Sequence, residues 1–317
     1  MRKQQNFAQP AITTTYAGEF AGKYIAAALL SAKTLDNQYI TIMPNVKFKS
    51  VIQKIAVDSI VNNASCDFTT SGTVALTERI LEPKELQVNL ELCKQEFVDS
   101  WEALQLGYSA FDEIPKDFND YLISYVGGKV AQATEESIWR GVTATNGQFG
   151  GIYTALSSSV VAGGDNAPIT ASISGSITSA NVLSALDSLV NAIPNTVYGK
   201  EDVMIYVPTN VVKAYQQALS GGTAGANGWN NQMNVGEKPL NFQGIELAFC
   251  PGLAASAMVA AQKSNLFFGT GLLSDYNEVR VLDMANLDGS QNYRIIMRDT
   301  AGTQYGIGSD IAIYKNY

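Results

Sequence analysis

The 317-residue sequence contains no histidine and only three cysteines, and both shortages exclude classes of chemistry. Histidine is the commonest general base, proton shuttle and metal ligand, so hydrolases that use Ser-His or Cys-His pairs are excluded. The cysteines, Cys66, Cys93 and Cys250, are odd in number and far apart, without the CxxC spacing of zinc or redox sites. We expect them to be reduced thiols in a cytosol, and we expect no metal and no cofactor.

Charged residues make up only 16% of the sequence, and the formal net charge is −8. Proteins that bind nucleic acid without sequence preference draw their affinity from many Lys and Arg contacts with phosphates. The acidic balance argues against such binding, so any DNA is predicted to be enclosed by the protein rather than held by it. No apolar run is long enough to span a bilayer and no secretion signal is present, so we expect no membrane partner.

Residues 47–80 carry the pattern of a long β-hairpin. Apolar side chains are spaced among Lys, Gln and Asp on the arms, and turn-forming residues fill positions 62–72. At about 3.3 Å per residue the hairpin reaches on the order of 50 Å, which is further than a compact domain can cover with its own core. A two-stranded ribbon alone is only marginally stable in water. We therefore predict that this ribbon lies on a neighbouring subunit.

The predicted contacts with that neighbour lie on both arms and at the tip of the ribbon. They are Phe48, Val51, Ile55, Cys66, Asp67, Phe68, Thr70, Val74, Leu76 and Arg79. Beyond Pro83, every second residue from Leu86 to Leu92 is apolar. This alternation predicts a return strand with one packed face and one solvated face.

The rest of the sequence predicts a mixture of helices and strands. A Ser, Gly and Ala-rich stretch at 157–179 is expected to form loops and thin strands, and 220–236 a glycine-rich loop. Residues 311–314 are expected to end an antiparallel C-terminal meander. The predicted helices lie at 115–140, 182–193 and 209–219, and the other predicted strands at 203–207, 245–249, 257–261, 266–268, 279–282 and 293–298.

Tyr125 and Lys129 have the Tyr-x-x-x-Lys spacing of short-chain dehydrogenases, which places both side chains on one face of a helix. Those enzymes also need a glycine-rich nucleotide turn after the first strand. The glycine cluster at 221–225 lies downstream and follows a helix instead. The motif is therefore a weak indication of an enzyme.

Two clusters of acidic residues are expected to have structural and not chemical roles. Asp283, Asn286, Asp288 and Gly289 miss the spacing of an EF-hand and lack its closing glutamate, so we predict an Asx-rich hairpin turn. Glu135 and Glu136 are adjacent and cannot form an acid/base pair alone. We expect them to lie on a solvated helix face.

The order of these elements, together with residues 82–94 (EPKELQVNLELCK) and 267–272 (FFGTGL), resembles the major capsid proteins of tailed bacteriophages. Their fold is shared with encapsulins and the herpesvirus capsid floor. The resemblance implies an α+β fold of five parts: an N-terminal arm at 1–45, an extended β-ribbon loop at 46–94, a peripheral domain at 95–179 with a spine helix at 115–140, an axial domain at 180–263, and C-terminal strands at 264–317 returning to the peripheral domain.

The resemblance also implies a structural protein rather than an enzyme. Copies would form pentamers and hexamers, with an axial loop near their centres that includes Gly221, Gly225, Asn227, Trp229 and Asn230. These would close an icosahedral virion shell around double-stranded DNA, assembled in the cytoplasm of a host bacterium. A portal, and optionally scaffolding or decoration proteins, would be further partners. Because the chain starts almost directly with the arm, a fused scaffolding segment is expected to be absent or already removed.

Three other functions compete with this interpretation. An encapsulin-like nanocompartment has the same fold and encloses a cargo enzyme instead of DNA. An enzyme with an α/β core around residues 203–207 is a second alternative. A secreted adhesion protein is the third, and the missing leader and the odd number of cysteines disfavour it.

Overall fold

The computed structural model describes residues 32–46, 48–57, 63, 74–93, 116–162, 168–171, 176–219, 240–271, 279–284, 289–290 and 292–315. Helices and β-sheets are both present, which confirms the predicted α+β class. The α-helices are α1 (Lys33–Asp36), α2 (Lys116–Arg140), α3 (Ile152–Ala162), α4 (Val182–Asn191) and α5 (Thr209–Leu219).

The predicted ribbon is present as two antiparallel strands, β2 (Ser50–Val57) and β3 (Val74–Leu81). Their register runs from Ser50 opposite Leu81 to Val57 opposite Val74. Within the described residues the two strands form a sheet of their own. Each therefore has one backbone edge that no described strand covers, as expected of a segment that another chain completes.

A five-stranded sheet is built around the 14-residue strand β12 (Asn292–Tyr305). One edge of β12 pairs over residues 292–301 with β4 (Lys84–Cys93), and the other pairs with β11 (Val279–Asp283) in its first half and with β10 (Leu266–Thr270) in its second. Strand β1 (Thr41–Met43) completes the sheet by pairing with β10.

Helix α2 packs on one face of this sheet. Leu86 and Val88 of β4 line the same small cavity as Val130 and Ala133 of the helix. On the other face of β4, Gln87 is exposed. The alternation predicted the two faces correctly at residues 85–89, but Leu90, which it places on the packed face, is 43% exposed. The prediction grouped this strand with the ribbon, whereas its hydrogen bonds place it beside β12.

A six-stranded sheet forms the second half of the fold. Its order is β5-β13-β9-β6-β8-β7, with α4 and α5 packed on one face. Tyr206 of β6 points to the opposite face, into a second core that contains Trp139 and Phe149. The bounds are β5 (Ile169–Thr170), β6 (Val203–Val207), β7 (Asn241–Phe242), β8 (Ile245–Phe249), β9 (Met258–Gln262) and β13 (Ala312–Tyr314).

Two predictions about local structure are wrong. For the stretch 157–179 the sequence predicts loops and thin strands; the two-residue strand at Ile169–Thr170 agrees, but residues 157–162 continue helix α3. Ile152, Leu156 and Val160 recur at four-residue spacing on that helix and pack in the second core, which outweighs the weak helix preference of the intervening serines. Strand β13 was expected in the C-terminal meander, but it pairs with β9 and β5 in the other sheet.

Candidate functional site

The ribbon presents an apolar face to solvent. Its register places Val51 opposite Ile80 and Gln53 opposite Glu78 on one face, and the next pair on that face is Ile55 with Leu76. Val51 is 50% exposed, Leu76 is 60% exposed and Ile80 is 45% exposed. Three half-exposed aliphatic side chains on a single ribbon are unusual, because such residues normally contribute to a core.

The opposite face of the ribbon packs on its own chain. The guanidinium of Arg79 lies over the ring of Tyr305, 3.9 Å from its centroid, and the Tyr305 hydroxyl shares a hydrogen bond with Ser159. Leu81 is fully buried and lies against Gly269, where an added Cβ would come within 2.8 Å of the leucine. These contacts fix the base of the ribbon and turn its apolar face away from its own sheet.

Polar contacts at the base of the ribbon are weaker than the packing of Arg79 and Leu81. Gln304 donates a hydrogen bond to the Ile80 carbonyl at 2.9 Å, and Lys49 pairs with Glu82 at 3.3 Å. Both charged side chains of that pair are well exposed, so the ion pair contributes little. Phe48, directly before Lys49, is 74% exposed. The apolar surface therefore extends past the end of the ribbon.

Burying this face would be favourable. Full burial of an aliphatic side chain is worth roughly 1.5 to 3 kcal/mol. Since Val51, Leu76 and Ile80 are about half exposed, covering them would contribute on the order of 2 to 4 kcal/mol per ribbon. That is enough for a repeated contact between copies, although too little for a stable isolated dimer.

The predicted contact residues lie in different environments. Phe48, Val51 and Leu76 are exposed, and Ile55 and Val74 lie at paired positions of β2 and β3. Arg79 was grouped with the intersubunit contacts, but its guanidinium packs on Tyr305 of the same chain. Cys66, Asp67, Phe68 and Thr70 lie outside the described residues, as do the axial-loop positions Gly221, Gly225, Asn227, Trp229 and Asn230.

A buried polar cluster lies at the junction of three segments, and sequence reasoning missed it. Glu136 does pair with Arg140 in a partly exposed position, but Glu135 is buried, so the solvated face predicted for both is wrong for Glu135. Its carboxylate accepts hydrogen bonds from the Thr34 backbone N–H at 3.0 Å and from the Thr34 hydroxyl at 2.6 Å. Trp139 donates its indole N–H to the same hydroxyl at 3.0 Å.

This cluster joins α1, α2 and the turn that follows β8. A Cβ on Gly252 would lie 2.1 Å from the Glu135 carbonyl oxygen. Only glycine permits that approach. Burial raises the pKa of Glu135, and the hydrogen bonds from Thr34 oppose the rise.

Cys250 lies next to the same cluster. The side chain is fully buried, as expected for a small apolar residue before Pro251. Burial, followed by the nearby Glu135 charge, raises the pKa of its thiol well above its ordinary value. A thiol held in this neutral state is a poor nucleophile. The polar groups here therefore stabilise the junction.

The other candidate chemical groups gain no support in the described part of the chain. Lys129 is exposed on α2, and the side chain of Tyr125 is not among those described. No group of three or more Cys, Asp or Glu side chains is placed to hold a metal ion in the described ranges. Among the same residues, no helix is long and apolar enough to cross a bilayer.

The fold is similar to those of several solved capsid structures. A chain in the capsid of a native GTA particle, computed with C5 symmetry, has a TM-score of 0.67 at 13% identity, over 96% of this chain and 95% of that one. A structure from Mycobacterium phage Cain has a TM-score of 0.59 at 14% identity, over 96% and 95%. For Gordonia phage Cozz the TM-score is 0.58 at 10% identity, over 100% and 98%. No protein-family model and no curated protein matches the sequence.

The matches span almost the full length of both chains, so they concern the whole architecture and not one common motif. At identities between 10% and 14%, the shared property is the fold. This chain therefore has the fold of phage major capsid proteins.

Proposed function

We propose that many copies of this chain assemble, as pentamers and hexamers, into the icosahedral capsid of a virion that encloses double-stranded DNA. The observation that carries the proposal is the ribbon, whose base is fixed on its own sheet while its other face leaves Val51, Leu76 and Ile80 half exposed. A monomer has no use for such a face, whereas a shell can bury one copy of it in every subunit.

The two sheets support a division into domains. In the proposed arrangement, the long helix α2 and the five-stranded sheet belong to a peripheral domain, and α4, α5 and most of the six-stranded sheet belong to an axial domain. The ribbon strands β2 and β3 supply the extended loop, and residues 1–45 supply an arm whose strand β1 joins the five-stranded sheet, as β4 does at the end of the range 46–94. The glycine-rich stretch at 220–236 faces the centre of each pentamer or hexamer.

The enclosed DNA is contained without a dedicated binding site. A net charge of −8 disfavours tight phosphate binding, so the subunit interfaces and not DNA contacts hold the shell together. A portal would admit the DNA, with scaffolding or decoration proteins as further partners. Assembly would take place in the cytoplasm of a host bacterium.

An encapsulin-like shell with a cargo enzyme is the second candidate. It has less support, because the similar structures described above come from phages and a GTA particle. The contents of the purified particles distinguish the two functions: a virion contains nuclease-resistant DNA, whereas a nanocompartment contains a cargo protein.

Electron microscopy of the purified protein, with absorbance at 260 nm measured on the sedimenting fraction, tests the proposal. We expect closed icosahedral shells, which are filled with DNA when they come from the native source. Shells that contain a cargo enzyme and no DNA would favour the second candidate. A monodisperse monomer under all conditions, including coexpression with the neighbouring genes, would contradict both.

A further inference from the structure

We propose that Asn146 is a site of spontaneous covalent modification, where the backbone nitrogen of Gly147 displaces the side-chain amide and the residue becomes aspartate or isoaspartate. This inference does not depend on the proposed assembly. Asn-Gly occurs twice in the sequence, at 146–147 and at 227–228, and the second pair lies outside the described residues. Glycine after asparagine favours the reaction, because it has no side chain to shield the attacking nitrogen.

The reaction is a balanced substitution that needs only water. The Gly147 nitrogen forms a bond to Cγ of Asn146, the bond from Cγ to Nδ2 breaks, and the amide leaves as ammonia with the proton of the Gly147 nitrogen. Because both groups belong to adjacent residues, the step is intramolecular and gives a cyclic succinimide. Water that cleaves the new bond gives aspartate. Water that cleaves the original peptide bond gives isoaspartate, in which the main chain runs through Cβ and Cγ.

Both reacting groups are accessible at the tip (residues 144–147) of the loop between α2 and α3. Every residue from 142 to 147 is exposed, and nothing lies within 4 Å of the position that a Cβ on Gly147 would take. Within the described part of the chain, no hydrogen bond engages the Asn146 side-chain amide or the Gly147 N–H. Neither group therefore has to lose a partner before it reacts.

One long hydrogen bond closes the turn at this tip. The Gln148 N–H donates to the Thr145 carbonyl at 3.4 Å, so Asn146 and Gly147 occupy the two central positions, with a φ of +77° at Gly147. The succinimide ring imposes its own geometry on the Asn146–Gly147 peptide, so the turn must open before the ring closes. A hydrogen bond contributes about 1 kcal/mol net, and this one is longer than the usual range. Opening the turn is therefore cheap.

The base of the same loop is held in place, so the tip can rearrange without disturbing the core. The Gly151 N–H donates to the Gly141 carbonyl at 2.9 Å. Nζ of Lys84 donates to the carbonyls of Thr143 and Gln148 at 3.2 and 3.1 Å, one on each side of the tip. The change in backbone path on forming isoaspartate is thus confined to the tip.

The groove beside the tip accommodates the new carboxylate. Among the described residues, four charged side chains line this groove together with Asn146, and they are Lys84, Arg298, Glu85 and Asp299. Positive and negative groups are equal in number, and Lys84 is the one that binds the loop itself. The added negative charge therefore lies close to an ammonium group, and we expect the modified subunit to stay folded.

Asn181 provides a comparison within the same chain, because it is equally exposed but held on all sides. Its Oδ1 accepts from the Thr178 N–H at 2.7 Å, and its Nδ2 donates to the Ser176 carbonyl at 3.0 Å. The following residue is Val182, whose N–H donates to the Thr178 carbonyl at 3.0 Å. Three hydrogen bonds thus oppose the reaction at Asn181, and the branched valine side chain shields the nitrogen.

Mass spectrometry of the incubated full-length protein tests the proposal. Trypsin releases Asn146 and Asn181 on one fragment, between Arg140 and Lys200, so their conversion to acid is compared in the same molecule. We expect Asn146 to convert within about tenfold of the rate of a synthetic peptide of residues 141–151, since one hydrogen bond must open. Asn181 should convert at least about a hundredfold more slowly than Asn146, because three must open. Isoaspartate methyltransferase should label the modified fragment.

Asn146→Gln is the matched variant, because its longer side chain closes a six-membered ring far more slowly. It should stay unmodified at this position and keep the melting temperature of the wild type. An Asn146 side chain that persists in the folded protein after the peptide has converted would overturn the proposal. Equal conversion of Asn146 and Asn181 would overturn it as well, since the reaction would then reflect unfolding. Neither result bears on shell formation, so the proposed function stands or falls separately.

Discussion

Strand β6 and the ribbon use the same kinds of residue and bury them in opposite ways. In β6, Val203, Ile205 and Val207 are buried under helices α4 and α5. In the ribbon, Val51 and Leu76 are at least half exposed, and no described element covers them. One strand is completed by its own chain. The other leaves its apolar face uncovered by the described part of its own chain, as the proposed contact with a neighbouring copy requires.

The difference follows from what each segment is connected to. Strand β6 is flanked in sequence by α4 and α5, whose apolar sides fold directly over it. The ribbon is flanked by the single strands β1 and β4, which belong to another sheet and fix only its base. The subunit therefore has a self-sufficient core and an incomplete arm.

The largest effect on the isolated subunit is expected in the core. Leu186→Ala removes a fully buried side chain on α4 and should lower the free energy of unfolding by about 2 to 5 kcal/mol. Leu183→Ala is the matched control, with the same substitution on the same helix at a half-buried position. Chemical denaturation of unassembled protein measures both. Equal losses would contradict the distinction between buried and partly exposed positions.

A pH-dependent effect is expected at the Glu135 cluster. Burial raises the carboxyl pKa, so the cluster stabilises most at a pH below the unfolded-state pKa and less as pH rises through the raised folded-state pKa. Glu135→Gln cannot ionise, and like the protonated acid it can accept from the Thr34 backbone N–H through its amide oxygen and donate to the Thr34 hydroxyl through its amide nitrogen. Its unfolding free energy relative to wild type should therefore increase between pH 4 and pH 8.

Denaturation at several pH values measures this difference, with Glu136→Gln as the control on the exposed side of the same helix. The charged groups near the cluster are Lys33 on α1 and Arg140 and Glu136 on α2, and they remain unchanged in the Glu135 variant. If the difference in unfolding free energy between Glu135→Gln and wild type stays constant over the pH range, the Glu135 pKa is the same in the folded and unfolded states, which would contradict this prediction.

A smaller effect is expected where the ribbon meets its own sheet. Arg79→Ala removes the guanidinium from the Tyr305 ring, a contact worth about 1 kcal/mol. Hydrogen exchange at the amides of β3 should become faster, while the exchange of β6 should stay unchanged. Arg79→Lys keeps the positive charge but not the flat stacking on the ring. Its exchange rate at the β3 amides should therefore lie between those of the wild type and Arg79→Ala. Unchanged protection in β3 would contradict the anchoring role.

Local patterns predicted the elements of this fold well. Helix α5 and strands β6 and β8 have the bounds expected from hydrophobic periodicity, and α2 begins one residue from the expected start. The bounds of these helices and strands are set by the residues within each element, so the local sequence is enough to predict them. The sequence pattern also singled out Val51 and Leu76 on the ribbon, but it did not list Ile80 as a contact residue, although the register places Ile80 opposite Val51 on the same face.

Contacts between distant residues were not predictable in this way. The pairing of β4 with β12 joins positions about two hundred residues apart, and nothing in the alternation of β4 specifies its partner. The burial of Glu135 depends on Thr34 and on the close approach of Gly252. Sequence spacing shows Glu135 beside Glu136 on a helix, but it does not show what packs against that helix.

The most direct test of the proposed completion of each subunit by its neighbours is the double variant Leu76→Ser and Ile80→Ser, compared with Val142→Ser, a position outside the ribbon that is as exposed as Ile80. Denaturation of unassembled protein and electron microscopy of sedimenting particles are measured together. We expect the double variant to lower the free energy of unfolding by about 1.5 to 3 kcal/mol, which leaves the subunit folded, and to lose its shells, while the control keeps its shells. Shells formed at wild-type yield by the double variant would contradict the central role of the ribbon in assembly.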